Sequence, residues 1–142
     1  MNARLASRLV LPLALLLAMP ACAGELAVTD AWARATPPGS SVAAVYLVID
    51  NQAPQPDRLL KLRSSIAPGA EVHGTSVEGG MTRMRPVTVL HIGAGERVAF
   101  EAGGLHVMLF GLKKPLVAGQ TFTMEFVFEL AGTRQVAVTV RD

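Results

Sequence analysis

The 142-residue chain is 51% hydrophobic, 17% charged and 5% aromatic, carries 13 Lys and Arg against 11 Asp and Glu, and has a single cysteine. Its length suits one domain of about 100 to 150 residues. One cysteine excludes an internal disulfide and any paired-thiolate redox or zinc motif, and no polar or charged tract is long enough to imply disorder.

The chain opens on what reads as an export signal. Arg4 and Arg8 form a short positive region, residues 9–19 are an apolar run, and Ala21-Cys22-Ala23 places small residues at the two positions a signal peptidase reads. The run is too short to cross a bilayer, which takes about 20 residues. Residues 1–23 are therefore expected to be a signal peptide removed after Ala23, leaving residues 24–142 as one domain with no membrane-inserted segment. Met19-Pro20-Ala21-Cys22 also loosely imitates a lipoprotein signal, with Cys22 as the lipidated first residue. Met19 and Pro20 fit that pattern poorly, which favours the plain exported form. Under either reading no free thiol remains in the folded domain. Two of the 13 basic residues lie in the signal and none of the 11 acidic ones, so the mature charge is about zero. No basic patch or charge run survives to recruit nucleic acid or an anionic membrane.

The mature part reads as short strands divided by Gly and Pro clusters. Strands are expected over residues 26–34, 42–50, 59–64, 70–73, 84–91, 97–100 and 106–110. In residues 121–130, Phe122, Met124, Phe126, Phe128 and Leu130 alternate with mostly polar neighbours, a period of two with one buried face. Val136, Val138 and Val140 repeat that pattern after a loop at residues 131–134, so the chain should end as an antiparallel pair. No window carries a helical period of useful length. Many short strands at such spacing predict an all-β fold, a β-sandwich or Greek-key barrel in a single domain.

The informative residues are histidines and methionines. His73, Met81, Met84, His91, His106 and Met108 gather in one window. In a strand, residues i and i+2 project from one face, so His106 and Met108 could share an ion. Gly103-Gly104 just before them would allow a tight turn, placing the pair at one end of the sandwich. Met124, among phenylalanines, reads as core filler. His91, beside the Ile92-Gly93 turn, reads as an ordinary surface or hydrogen-bonded histidine, and His73 or Met84 taken alone would read the same way.

Taken in order, however, His73, ten residues, Met84, twenty-one residues, His106, one residue and Met108 resemble the H(M)x10Mx21HxM signature of the periplasmic copper chaperones called PCu(A)C. Chance placement of these four identities has odds on the order of one in ten thousand. The resemblance continues through Asp30-Ala31-Trp32-Ala33-Arg34, Thr36-Pro37-Pro38-Gly39, Ala43-Ala44-Val45-Tyr46-Leu47, Gly79-Gly80-Met81, Met84-Arg85-Pro86-Val87, Gly103 to Leu109 and Gly111-Leu112-Lys113, and so covers essentially the whole mature chain. It departs at Thr75, where many members carry a methionine two residues after the first histidine; Met81 is the only evident substitute. The resemblance implies a cupredoxin-like fold, a periplasmic location and a monomer that holds one Cu(I) through His73, Met84, His106 and Met108. It further implies delivery toward the CuA centre of cytochrome c oxidase, directly to subunit II or through a thiol-bearing copper chaperone.

The donor chemistry agrees. Thioether sulfur is soft and imidazole borderline, so two of each favour monovalent copper over Mg, Ca or Mn, which prefer oxygen. Structural zinc wants thiolates or a histidine-rich set, and the site offers no cysteine and no obvious acidic ligand. Four neutral donors leave the ion's charge uncompensated, which a semi-buried site tolerates better for Cu(I) than for a divalent ion. A blue-copper electron carrier needs a cysteine thiolate, which this domain lacks. Arg83 and Arg85 flank Met84 and in a strand would point away from its ligand face, solvated, salt-bridged or docking an acidic partner. No Ser/His/Asp spacing, paired acids or cofactor loop points to an enzyme. Two other readings stand beside delivery: a copper buffer for tolerance, and an exported non-metal β-sandwich for adhesion or assembly whose His and Met residues serve packing.

Overall fold

The computed structural model describes residues 24–142. The expected cleavage after Ala23, and Cys22 with it, lie outside the described residues. Ten strands follow one another: β1 (Leu26–Arg34), β2 (Val42–Asn51), β3 (Asp57–Ser64), β4 (Gly69–Glu78), β5 (Met81–Val87), β6 (Leu90–Ile92), β7 (Arg97–Phe100), β8 (His106–Phe110), β9 (Thr121–Phe128) and β10 (Gly132–Arg141). They form one sheet in the order β5-β4-β8-β2-β1-β10-β9-β3-β6, with β7 added on β2. Of the described pairings only β1 with β10 is parallel. The sheet curls until β3 packs beside β4, giving the all-β sandwich that the spacing of turns predicts.

Strict alternation builds the core. Phe122, Met124, Phe126 and Phe128 of β9 are all buried, as are Ala43, Val45, Leu47 and Ile49 of β2 and Val107 and Leu109 of β8. Each large apolar side chain so buried contributes roughly 1.5–3 kcal/mol. β8 and β7 share one edge of β2, β8 along Val42 to Val45 and β7 along Leu47 to Asp50. The turn between β7 and β8 is therefore pinned at both ends, and it delivers His106 as the first residue of β8.

Three expectations are revised. The strand predicted over residues 84–91 is two strands, because the chain leaves β4 at Val87 and joins β3 at Leu90. Strand β4 runs on from His73 to Glu78, since Gly79 and Gly80 close a two-residue hairpin with φ of 58° and 80°. Both angles positive is the turn that matches strand twist. The extension leaves no alternating pattern because this arm projects from the body with both faces wet. The last hairpin also turns earlier than predicted, with β10 beginning at Gly132.

That hairpin turn is held by Asp57. Its buried carboxylate accepts hydrogen bonds from the backbone N–H groups of Arg58 (2.7 Å), Leu130 (2.9 Å) and Ala131 (2.8 Å). Burial pushes the carboxyl up, but backbone donors from Leu130, Ala131, Arg58 and Glu129 together outweigh it and hold the pKa below its ordinary value. A depressed folded-state pKa stabilises above the unfolded value, near 4, and that contribution fades as pH falls through the folded value. Asp57→Ala is expected to cost about 2–4 kcal/mol at neutral pH by urea unfolding, with the gap between variant and parent closing below about pH 4.

Candidate metal centre

Register brings the donors to one face. Across β4 and β8, His73 lies directly opposite His106, and Glu71 opposite Met108. Across β4 and β5, Thr75 lies opposite Met84, and His73 opposite Pro86. Directly opposed residues share a face, as do residues i and i+2 along one strand. His73, Met84, His106 and Met108 thus stand together on the outer face, while Val72, Val107 and Leu109 point into the core. The His73 and His106 rings are 6.0 Å apart between centroids and tilted by 48°. A metal ion bonded at about 2 Å to one nitrogen of each ring would separate them by roughly that distance.

His106 is the most enclosed donor, 7% exposed. Gly103 has a φ of 84° in the turn before it, and the Gly104 carbonyl accepts a hydrogen bond from His106 Nδ1–H at 3.1 Å. A carbonyl can only accept, so Nδ1 carries the proton and the lone pair of Nε2 is left for an ion. His73 is 16% exposed at its side chain, with Nε2 at 3.1 Å from Glu71 Oε2 and its ring 5.8 Å from that of Phe110. Met108 is half-buried beside this pair. Met84 shares the face but sits on the edge strand, one register step further out and 61% exposed.

The structure adds two placements to the sequence reading. An acidic group does border the site, since Glu71 stands on the donor face against His73. Its position two residues before His73 in a predicted strand was the available signal. Met81, the evident substitute for a methionine at Thr75, lies three residues from Met84, opposite Glu78, on the other face of the hairpin. Arg83 and Arg85 share that far face, where Glu78 lies 3.7 Å from Arg83 Nε and 3.1 Å from the Arg85 guanidinium. His91, on β6 opposite Arg58, is far along the sheet from the donors, and Met124 is core.

No three His, Cys, Asp or Glu side chains converge on one point among the described residues. Met84 and Met108 are the further soft donors on the face that carries His73 and His106, and two histidines with two thioethers fit a soft monovalent cation rather than a hard divalent one.

Residues 26–140 match the LpqE-like family, described as "Putative lipoprotein LpqE-like". "Putative lipoprotein Lxx21020" of Leifsonia xyli subsp. xyli is 33% identical over 116 residues, 81% of this chain and 69% of the relative. Among solved structures, "Copper-bound PCuAC domain from PmoF2" superposes with a TM-score of 0.71 at 26% identity, covering 84% of this chain and 94% of that one. "Solution structure of CuI-DR1885 from Deinococcus Radiodurans" gives a TM-score of 0.66 at 33% identity, covering 85% and 83%. The fold is thus the cupredoxin-like one that the sequence resemblance implies.

Proposed function

The chain belongs to the LpqE-like family, and from that premise we propose that it is an exported copper chaperone, a carrier and not an enzyme. It holds one Cu(I) between His73, Met84, His106 and Met108 and passes it toward the CuA centre of cytochrome c oxidase, to subunit II or through a thiol-bearing chaperone. One observation carries the reading: two histidines face each other at 6.0 Å on the solvent side of the sheet, with Met108 beside them and Met84 on the same face. The copper-bound PCuAC domain and the CuI-DR1885 structure support it.

The graded exposure suits transfer. His106 is enclosed and held by a backbone carbonyl, whereas Met84 stands in solvent at the edge. An acceptor donor group replaces Met84 first, and the ion leaves by successive ligand exchange with no covalent step.

A competitive Cu(I) titration of the purified protein tests this. One tight site is expected, weakened in both Met84→Leu and Met108→Leu. If both variants bind as the parent does, the methionines only pack and the copper site is wrong. Thr75 lies opposite Met84 on the donor face, so Thr75→Met is expected to tighten Cu(I) binding by about tenfold, the effect of roughly 1.4 kcal/mol. Delivery and buffering part in a deletion strain: loss of oxidase activity under low copper supports delivery, and copper sensitivity alone supports buffering.

The lipoprotein names of the family and of the relative favour a second reading of the N-terminus, with Cys22 lipidated. Intact mass of the exported protein separates this from cleavage after Ala23, where Gly24 is the first residue.

A further inference from the structure

We infer that Glu71 is a positioning residue for this site: its carboxylate holds the His73 ring with Nδ1 toward the ion and supplies the negative charge that four neutral donors lack. The inference rests on the His/Met copper site proposed above. An ionised carboxylate only accepts hydrogen bonds, so at 3.1 Å it takes the proton of His73 Nε2 and leaves Nδ1 as the metal-binding nitrogen. His106 is fixed the other way, with Nδ1–H on the Gly104 carbonyl and Nε2 free. The two rings are thereby locked as opposite tautomers by different anchors, one a backbone carbonyl and one a side chain.

Nothing else claims this carboxylate. No Lys or Arg of the described residues lies within ion-pair reach of Glu71, and its side chain is 57% exposed. Register places it opposite Met108, so it stands beside two of the four donors. Its oxygen is too hard to compete with thioether sulfur for Cu(I), which leaves it as the partner of the histidine. Carboxylate–histidine–metal arrangements of this kind typically change metal affinity by 10–100-fold when the carboxylate is removed. Its single negative charge also balances that of a bound monovalent ion, while the preference for Cu(I) stays with the two thioether donors.

Glu71→Ala and Glu71→Gln in the full protein provide the test. Both should unfold at the parent's urea midpoint, since Glu71 packs no core. Cu(I) affinity is expected to fall about 10–100-fold in Glu71→Ala and by less in Glu71→Gln, whose amide oxygen still accepts the Nε2 proton. In the copper-loaded parent, ¹⁵N spectra should show His73 protonated at Nε2 and His106 at Nδ1, with the His73 ring signals shifted in Glu71→Ala. Affinity in Glu71→Ala within about threefold of the parent, or His73 bound through Nε2, overturns the inference while the copper site stands. Failure of the parent itself to take up Cu(I) overturns both.

Discussion

His106→Ala is expected to lower Cu(I) affinity by more than about 100-fold, because removing even an outer partner of a metal-bound histidine costs 10–100-fold and this change removes the donor itself. The residue opens β8, lies directly opposite His73 and is oriented through its own Nδ1–H before any ion arrives. A pre-oriented donor loses little freedom on binding, so its deletion is felt in full. Met84→Ala should cost less, about tenfold, since its exposed side chain must first be ordered over the ion. Chelator competition measures both, and the ranking His106 above Met84 is the informative part. Equal losses would mean that the enclosed and the exposed donor contribute alike, contrary to the geometry.

The largest effect on stability is expected at Phe126. It is 0% exposed, opposite Leu62 of β3 and Arg134 of β10, in a strand paired along both edges. Phe126→Ala should cost about 3–5 kcal/mol, a large part of the 5–15 kcal/mol that commonly holds a domain folded. Urea unfolding at neutral pH measures it. Copper affinity of the folded fraction should not change, because Phe126 points into the core and all four donors point away from it.

Much of this was readable from residue order. The alternation around Phe126 gives β9, its buried face and the antiparallel end of the chain. The single residue between His106 and Met108 puts both on one face, and the intervals from His73 to Met84 and to His106 carry the family resemblance. Parity alone also separates Met81 from Met84, since an odd offset in one strand reverses the face. Other features depend on partners distant in sequence. Residues 74–78 show no alternation because their arm has two wet faces, so the length of β4 is visible only in its pairing with β5. The break between β5 and β6 follows from a change of partner strand, which no local pattern marks. The tautomer of His106 is set by where the turn puts the Gly104 carbonyl. The role of Glu71 needs both the strand that carries it and the rotamer that turns it toward His73.

The central claim is the donor set. X-ray absorption at the copper edge, on the purified protein loaded with one equivalent of Cu(I) without oxygen, reads it directly. The account predicts two nitrogen and two sulfur neighbours, with one sulfur lost in Met108→Leu. A shell without sulfur, or one unchanged in that variant, would contradict it.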